Sequence, residues 1–377
     1  MKLALIGPLP PLRGGISSYN LNLLNELLEQ GHDVLPISYD VLYPAFLFPG
    51  SNQYDDNADP VVDSYPILNA WKPNTWLTAI KLIRSFGAER LIVQHWHPFF
   101  APCLRFIARW AGVKPRVVIA HNVLPHEHAA IGRTLNPGLY RQADRVIVGA
   151  NDQLSVLQKI APRTTGVVQP HPVYSHFFAG REDCEPLTRY VEARKTLGIG
   201  EETPYFVHLG LVREYKGVDV LLRAVAQVER ELQLDVIGEF YDDISSYQEL
   251  QRELGHGERV RLDNRYLSDD EMALRCEAAD AVVLPYRHAT QSGIAMIALA
   301  AGAPVIATAT GALSEIIREG ENGCLAEPGD TESLVVALKR FLNSGLETWR
   351  RKRNVIAEQA ADIYSWSALA ANVLEDG

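Results

Sequence analysis

Apolar residues fall along this chain in two rhythms. Short unbroken runs, at residues 3–6 and 205–209, are too brief for a helix and lack the alternation of a half-exposed strand, so they predict buried strands of a parallel sheet. Elsewhere apolar residues recur three and four apart: Leu23, Leu24, Leu27 and Leu28, and again Leu221, Leu222, Val225, Val228 and Leu232. That spacing predicts a helix after each of the two strands. A glycine-bearing loop separates strand from helix both times, at 8–15 and 210–217, and further strands follow at 34–37 and 234–237. Strand, loop, helix, strand is the βαβ unit, and more short strands are readable at 90–94, 117–120, 145–148, 260–262, 281–284 and 304–307. The expected fold is α/β, with two Rossmann-like doubly wound domains facing a cleft at the carboxyl ends of their strands. No repeat of solenoid period is visible.

Residues 292–313 carry no charge, a length that raises the question of a membrane span. Gly302, Pro304 and Gly311 interrupt the stretch, and 303–307 reads as a buried strand after a helix, so a span is rejected.

At 377 residues the chain is too long for one ordinary core and suits two domains. Its 47% hydrophobic and 22% charged residues exclude disordered and fibrous classes. Lys and Arg number 36 against 46 Asp and Glu, and the net charge of −10 argues against a nucleic-acid partner. Residues 1–175 hold 15 basic and 12 acidic residues, a net of +3, while 176–377 hold 21 and 34, a net of −13, together the stated −10. A boundary is expected near residues 172–180, among Pro170, Pro172 and Gly180; the charge split reads either as simple drift along the chain or as two domains with different surroundings, the first facing an anionic surface. Cys103, Cys184, Cys276 and Cys324 stand far apart without a Cys-x-x-Cys pair, so neither a zinc site nor a disulfide framework is expected. Gly7 and Pro8 end the first apolar run too early for a signal peptide, and a cytoplasmic location is expected.

Three loops carry candidate chemistry. Arg13-Gly14-Gly15-Ile16-Ser17 lies between the first strand and its helix, where paired glycines let backbone amides approach an anion. It is neither a Gly-x-Gly-x-x-Gly fingerprint nor a Walker loop, and a plain tight turn explains it equally well. In the equivalent loop of the second half, Arg213 and Lys216 are cations three residues apart, suited to a diphosphate; a solvated surface pair is the alternative. Thr290-Gln291-Ser292-Gly293 opens a helix after the strand at 281–284. Small polar residues there cap free amides, and the same amides would cradle a phosphate. Five of the 11 histidines cluster: His95, His97, His121, His126 and His128. Pro125 spoils a helical ligand spacing and no Cys or Asp accompanies the His-x-His pairs, so no metal is expected. A neutral histidine bonded to a sugar hydroxyl, or one capping a loop, fits better. No Gly-x-Ser-x-Gly elbow or His-Glu-x-x-His run is present.

Six segments in order resemble a family 4 (group 1) glycosyltransferase of the GT-B fold, over nearly the whole chain. Pro-Leu-Arg-Gly-Gly-Ile-Ser at 11–17 resembles the N-terminal glycine loop, and Val118-Ile119-Ala120-His121-Asn122-Val123-Leu124-Pro125-His126-Glu127 a segment recurring in one branch. Gly210-Leu211-Val212-Arg213-Glu214-Tyr215-Lys216-Gly217-Val218-Asp219 resembles the phosphate-binding loop. Residues 285–293, then 301–308 and 311–315, complete the donor-domain signature. There are two departures. Counting back from Gly302, the Glu-x7-Glu carboxylates of many members would fall at Ala289 and Ile297, and the usual Arg at 211 is Leu211, leaving Arg213 to substitute. The pattern looks like a branch with Thr-Gln-Ser-Gly in place of Glu-x7-Glu.

The resemblance implies an acceptor-binding domain at 1–175, a nucleotide-sugar-binding domain at 176–355, and a tail at 356–377 whose helix, near 357–373 with Trp366, returns to the first domain. It implies retaining, metal-independent transfer of a hexose from a nucleotide diphosphate-sugar to a hydroxyl of a glycan or lipid-linked acceptor, in polysaccharide or glycoconjugate synthesis, without a cofactor. Arg213 and Lys216, with amides at Gly14, Gly15, Ser292 and Gly293, would neutralise the leaving diphosphate beside Thr290 and Gln291. His121 would orient a hydroxyl of the donor sugar, and Tyr266 and Leu267 would hold the nucleobase. Rival readings are a non-catalytic nucleotide-sugar-binding subunit, motivated by the missing carboxylates, and a GT-B nucleotide-sugar epimerase; a nicotinamide oxidoreductase fits least. Arg105 and Arg109, beside Phe106, Ile107 and Trp110, form either a helix face for peripheral contact with an anionic membrane or, more often, core packing with solvated charges.

Overall fold

The computed structural model describes residues 1–42, 53, 54, 61, 63–125, 129–178, 180, 181 and 184–375. The chain forms two compact units, Met1–Pro170 with Trp366–Gly377, and His171–Ser365. The first holds strands β1 (Lys2–Ile6), β2 (Asp33–Val41), β3 (Tyr65–Asn69), β4 (Arg90–His95), β5 (Arg116–Ala120), β6 (Arg145–Val148) and β7 (Gly166–Val168). Its helices are α1 (Gly15–Glu29), α2 (Pro73–Phe86), α3 (Ala101–Trp110), α4 (Ala129–Tyr140) and α5 (Asn151–Ile160). The second holds β8 (Tyr205–Leu209), β9 (Gln233–Gly238), β10 (Val260–Asn264), β11 (Ala281–Leu284), β12 (Val305–Thr308) and β13 (Gly323–Ala326). Its helices are α6 (Pro186–Leu197), α7 (Val218–Ala226), α8 (Ile244–Glu253), α9 (Asp269–Ala278), α10 (Gly293–Ala300), α11 (Leu313–Ile316), α12 (Thr331–Asn343) and α13 (Leu346–Ile363). A last helix, α14 (Trp366–Leu374), belongs to the first unit.

The sheets run β3-β2-β1-β4-β5-β6-β7 and β10-β9-β8-β11-β12-β13, with every pairing parallel. Leu3 to Ile6 and Tyr205 to Leu209 are buried throughout, as the continuous apolar runs require of strands covered on both faces. In each sheet the strand order turns around beside its first strand, at β1/β4 and at β8/β11. Chains leave the two neighbours toward opposite sides there, which opens a crevice at the carboxyl ends.

The edge strands β3, β7 and β13 escaped the sequence reading because they are short, and β3 and β7 are partly exposed. The helix expected to run through Leu232 stops at Ala226. Val228 and Leu232 are still buried, but the Arg259 guanidinium takes the carbonyls of Val228 (2.6 Å) and Arg230 (2.8 Å), which a continuing helix would need. The single tail helix expected near 357–373 is two. The chain breaks at Tyr364, whose carbonyl accepts the Val173 amide at 2.8 Å, and the return to the first unit begins at Trp366, not at 356. There Arg90 donates to the carbonyls of Val373 (2.8 Å) and Glu375 (2.9 Å), and Arg145 bonds the Asn372 carbonyl (3.1 Å) and pairs with the Glu375 carboxylate. The uncharged stretch 292–313 resolves into α10, β12 and the start of α11. Among the described residues no helix is long and apolar enough to cross a membrane.

The loops leaving β8 and β11 touch through their backbones. Gly217 has φ 67°, and a β carbon on it would stand 2.1 Å from the Pro285 carbonyl oxygen. Gly198 shares that φ of 67° but has no atom within 4 Å of the same position. Ala at Gly198 should therefore cost about 1 kcal/mol for the left-handed conformation alone, and Ala at Gly217 at least about 2 kcal/mol more as the loops are forced apart. Chemical-denaturation midpoints of the two variants compare these costs directly; equal losses would show that the loop contact contributes nothing.

Candidate functional site

Around the β8/β11 crevice the cations expected from the sequence part company. Arg213 leans on the loop after β9, its guanidinium carbon 4.6 Å from the Tyr241 ring centroid. Lys216 turns the other way, its Nζ 3.7 Å from the centroid of the buried Tyr286, which follows β11. The face of an aromatic ring attracts a cation, so Tyr286 fixes the ammonium without neutralising it. The hydroxyl of that same ring lies 3.5 Å from Ser292 Oγ. Ser292 is the N-cap of α10, its Oγ accepting the Ala295 amide at 3.3 Å, so the amides of Gly293 and Ile294 precede the first intrahelical bond. Lys216, Tyr286 and the positive end of α10 are thus one assembly. Thr290 and Gln291 lead into it, with the Thr290 carbonyl accepting the Ala312 amide at 3.1 Å.

Arg287 staples the two loops together. Its guanidinium forks onto the Asp219 carboxylate in the first turn of α7 (2.9 and 2.6 Å) and reaches the Glu214 carbonyl (2.7 Å), while its amide donates to the Tyr215 carbonyl (2.7 Å). Burial works against the Asp219 carboxylate, but the Arg287 fork and the amides of Val220 and Asp219 outweigh it and hold its pKa below the ordinary 3.8. His208, on β8 beneath the crevice, donates from Nδ1 to the Val283 carbonyl (2.8 Å), and burial pushes its pKa down to about 4, with Lys216 adding to the shift. It is a neutral core histidine.

In the first unit Gly14 has φ 113°, a value suited to glycine, and no atom lies within 4 Å of where a β carbon on Gly14 or Gly15 would stand. Beneath this loop runs a buried chain of side chains. The Pro8 carbonyl can only accept, so Asn20 presents Nδ2 to it (3.1 Å); Asn20 Oδ1 then accepts Gln94 Nε2 (3.1 Å), and Gln94 Oε1 faces His121 Nε2 (2.8 Å). Each link fixes the next, and the last fixes the imidazole: His121 carries its proton on Nε2. A β carbon on Gly7 would fall 2.6 Å from Gln94 Cγ and 2.7 Å from Asn20 Nδ2, so this chain needs glycine there. Tyr19 meets the His121 ring edge-on at 4.7 Å and is itself met by Trp366 of α14 at 5.0 Å.

The other expected residues divide. Tyr266 is 53% exposed after β10, whereas the Leu267 side chain is buried. His95 is buried with Nδ1 2.9 Å from the Tyr140 hydroxyl, and burial, with His97 nearby, pushes its pKa down to about 3. His126 and His128 lie outside the described residues. Among the described residues no three His, Cys, Asp or Glu side chains gather as metal ligands would. Asn20, Gln94, Asp219, Tyr286 and Arg287 were not picked out as site residues. Gln94 had a signal, a polar residue directly after the apolar Leu91-Ile92-Val93 run.

Residues 13–173 match the family described as Glycosyltransferase Family 4, and residues 203–344 match Glycosyl transferases group 1. D-inositol 3-phosphate glycosyltransferase of Corynebacterium diphtheriae is 28% identical over 256 residues, 65% of this chain and 58% of that protein. The chain spans about half the length of the curated relatives it matches. Sucrose-phosphate synthase from Thermosynechococcus elongatus superposes with a TM-score of 0.74 at 19% identity, over 98% of this chain and 96% of that one. Anabaena HepE, solved in complex with UDP and glucose, gives a TM-score of 0.71 at 16% identity, over 99% and 98%. The fold is that of the GT-B proteins. Each unit thus matches a glycosyltransferase family, Glycosyltransferase Family 4 in the first and Glycosyl transferases group 1 in the second.

Two expectations test this geometry. Nitrogen NMR of histidine-labelled protein should show neutral His121 protonated at Nε2, and Gln94→Leu should shift that signal toward a tautomer mixture; an Nδ1 proton in the wild type would contradict the hydrogen-bond chain. Asp219, with its folded pKa depressed, stabilises the fold above its unfolded value and ceases to as pH falls through the folded one. The melting-temperature advantage of wild type over Asp219→Asn should therefore be full at neutral pH and shrink as pH drops below 3.8.

Proposed function

We propose that this protein is a retaining glycosyltransferase that moves a hexose from a nucleotide diphosphate-sugar to a hydroxyl of a glycan or lipid-linked acceptor, without a metal ion. The observation that carries this reading is the Lys216–Tyr286–α10 assembly at the turn-around of the second sheet. A fixed cation facing helix amides suits a departing diphosphate, whose charge grows as the sugar bond breaks. The UDP and glucose held by HepE, and the family matches, support a nucleotide-sugar as the donor.

In the reaction the bond between the anomeric carbon and the diphosphate oxygen breaks, and a bond from that carbon to the acceptor oxygen forms on the same face. The acceptor proton passes to the leaving diphosphate. No carboxylate base is required, in keeping with Ala289 and Ile297 at the Glu-x7-Glu positions. Arg213, Lys216 and the amides of Ser292 and Gly293 receive the leaving charge, with Gly14 and Gly15 assigned the same task in the first unit. Thr290 and Gln291 line the donor site, Tyr266 lies against the base with Leu267 beneath, and His121 orients a hydroxyl of the donor sugar.

Loss of one such preorganised donor costs about 3 kcal/mol of barrier, so Lys216→Ala should lower the rate about a hundredfold on a donor found by thermal-shift screening, with products followed by mass. Unchanged turnover would remove Lys216 from the mechanism. The missing carboxylates favour a second reading, a binding subunit, which predicts nucleotide-sugar binding without product. An isomerised nucleotide-sugar formed without acceptor would identify an epimerase.

A further inference from the structure

A cavity of about 330 Å³ opens between α3 and α4 of the first unit, lined by Arg105, Arg133, Arg141, Thr134, Gly138 and Gln142. Helices of a parallel sheet run back toward the strands' amino ends, and Arg141 and Gln142 lie past the end of α4, just before β6. Three guanidiniums line it, and no carboxylate among the described residues does. Arg105 and Arg133 make no ion pair or hydrogen bond among the described residues, and Arg141 reaches only the Ile160 carbonyl, at 3.3 Å. The nearby Asp144 is already taken by Arg116 (3.1 Å) and Lys114 (4.0 Å).

Arg105, Arg133 and Arg141 are exposed, so water screens much of their mutual repulsion, and an anion among them would remove the rest. The carboxyl end of α4 offers only about half a negative charge. The wall is also shaped for the purpose. Arg105 lies across α4 at Gly138, where a β carbon would stand 2.7 Å from its Nη1 and 3.1 Å from its Cδ. Gly138, in the last turn of α4, leaves that space to the Arg105 side chain. The side-chain oxygen of Gln142 is buried without a donor, and the hydroxyl of a monoprotonated phosphate would supply one.

We propose that the Arg105–Arg133–Arg141 cavity binds a phosphate group. One guanidinium suffices for a carboxylate; three, one from α3 and two from α4 and its end, match a group with more than one charge and several oxygens. The phosphate belongs either to a small phosphorylated ligand or to an anionic lipid headgroup. For the second source, Trp110 on the same helix is 51% exposed with Arg109 stacked on it at 5.1 Å. The site stands independently of the glycosyl-transfer reading.

Arginine modification by phenylglyoxal, mapped by peptide mass, tests it residue by residue. With inorganic phosphate at about tenfold its dissociation constant, modification of Arg105, Arg133 and Arg141 should slow about tenfold, while chloride at equal ionic strength should not slow it. Arg133→Gln, an exposed change, should weaken protection of the other two, and Gly138→Ala should do the same by displacing Arg105. Protection by phosphate identifies a small-ligand site; protection by phosphatidic acid vesicles and not by phosphatidylcholine, without protection by free phosphate, identifies a headgroup site. No protection by either probe, or equal protection by chloride, overturns the proposal.

Discussion

The backbone contact between the loops leaving β8 and β11 is the constraint on which the second unit's site depends. Adjacent parallel strands that send their chains to opposite sides leave a gap at their carboxyl ends. Whether that gap becomes a shaped crevice depends on how closely the exit loops approach. Here they meet at Gly217 and the Pro285 carbonyl, a distance only a residue without a side chain permits. The contact brings Lys216 over the Tyr286 ring and lets Arg287 reach both Asp219 and Glu214. A cation, an aromatic plate and a helix N-terminus then share one side of the crevice.

The far end of α10 is held just as firmly, and that aims its near end. Arg353 is fully buried, donating to the carbonyls of Ala279 (2.9 Å), Glu277 (2.9 Å) and Ala301 (3.2 Å). Burial pushes its pKa down to about 10, opposed by Tyr190 and Asp280, so it stays charged at neutral pH where it gathers the ends of α9 and α10. Gly302 lets the α13 backbone close on this point, since a β carbon there would lie 2.4 Å from the Arg353 carbonyl oxygen. Asp280 collects the Tyr190 hydroxyl (2.8 Å), Arg194 (2.9 Å) and the Tyr205 amide (2.9 Å), tying the start of β8 to the same cluster. Buried charges here set directions more than they add stability.

Local signals carried much of this into the sequence. Buried parallel strands read as continuous apolar runs, so the central strands were visible, and the glycine loops marked where they end. Short edge strands left no comparable run. The end of α7 and the break at Tyr364 were hidden for a shared reason: a distant group, Arg259 in one case and Val173 in the other, bonds carbonyls that helical spacing alone would assign to the helix. Asn20, Gln94 and His121 come from three separate elements, and their order along a hydrogen-bond chain cannot be inferred from spacing.

By itself, then, the sequence determined the α/β class, the two βαβ beginnings, the loops that bear cations and glycines, and the helix start at Ser292. These are properties of neighbouring residues, written in period and composition. Tertiary structure alone decided that Arg213 and Lys216 diverge, that Tyr286 and Arg287 join the site, and that Gln94 holds His121 by Nε2. Those depend on atoms far apart in the chain meeting within hydrogen-bond or ring-contact distance, which only the folded sheet order brings about.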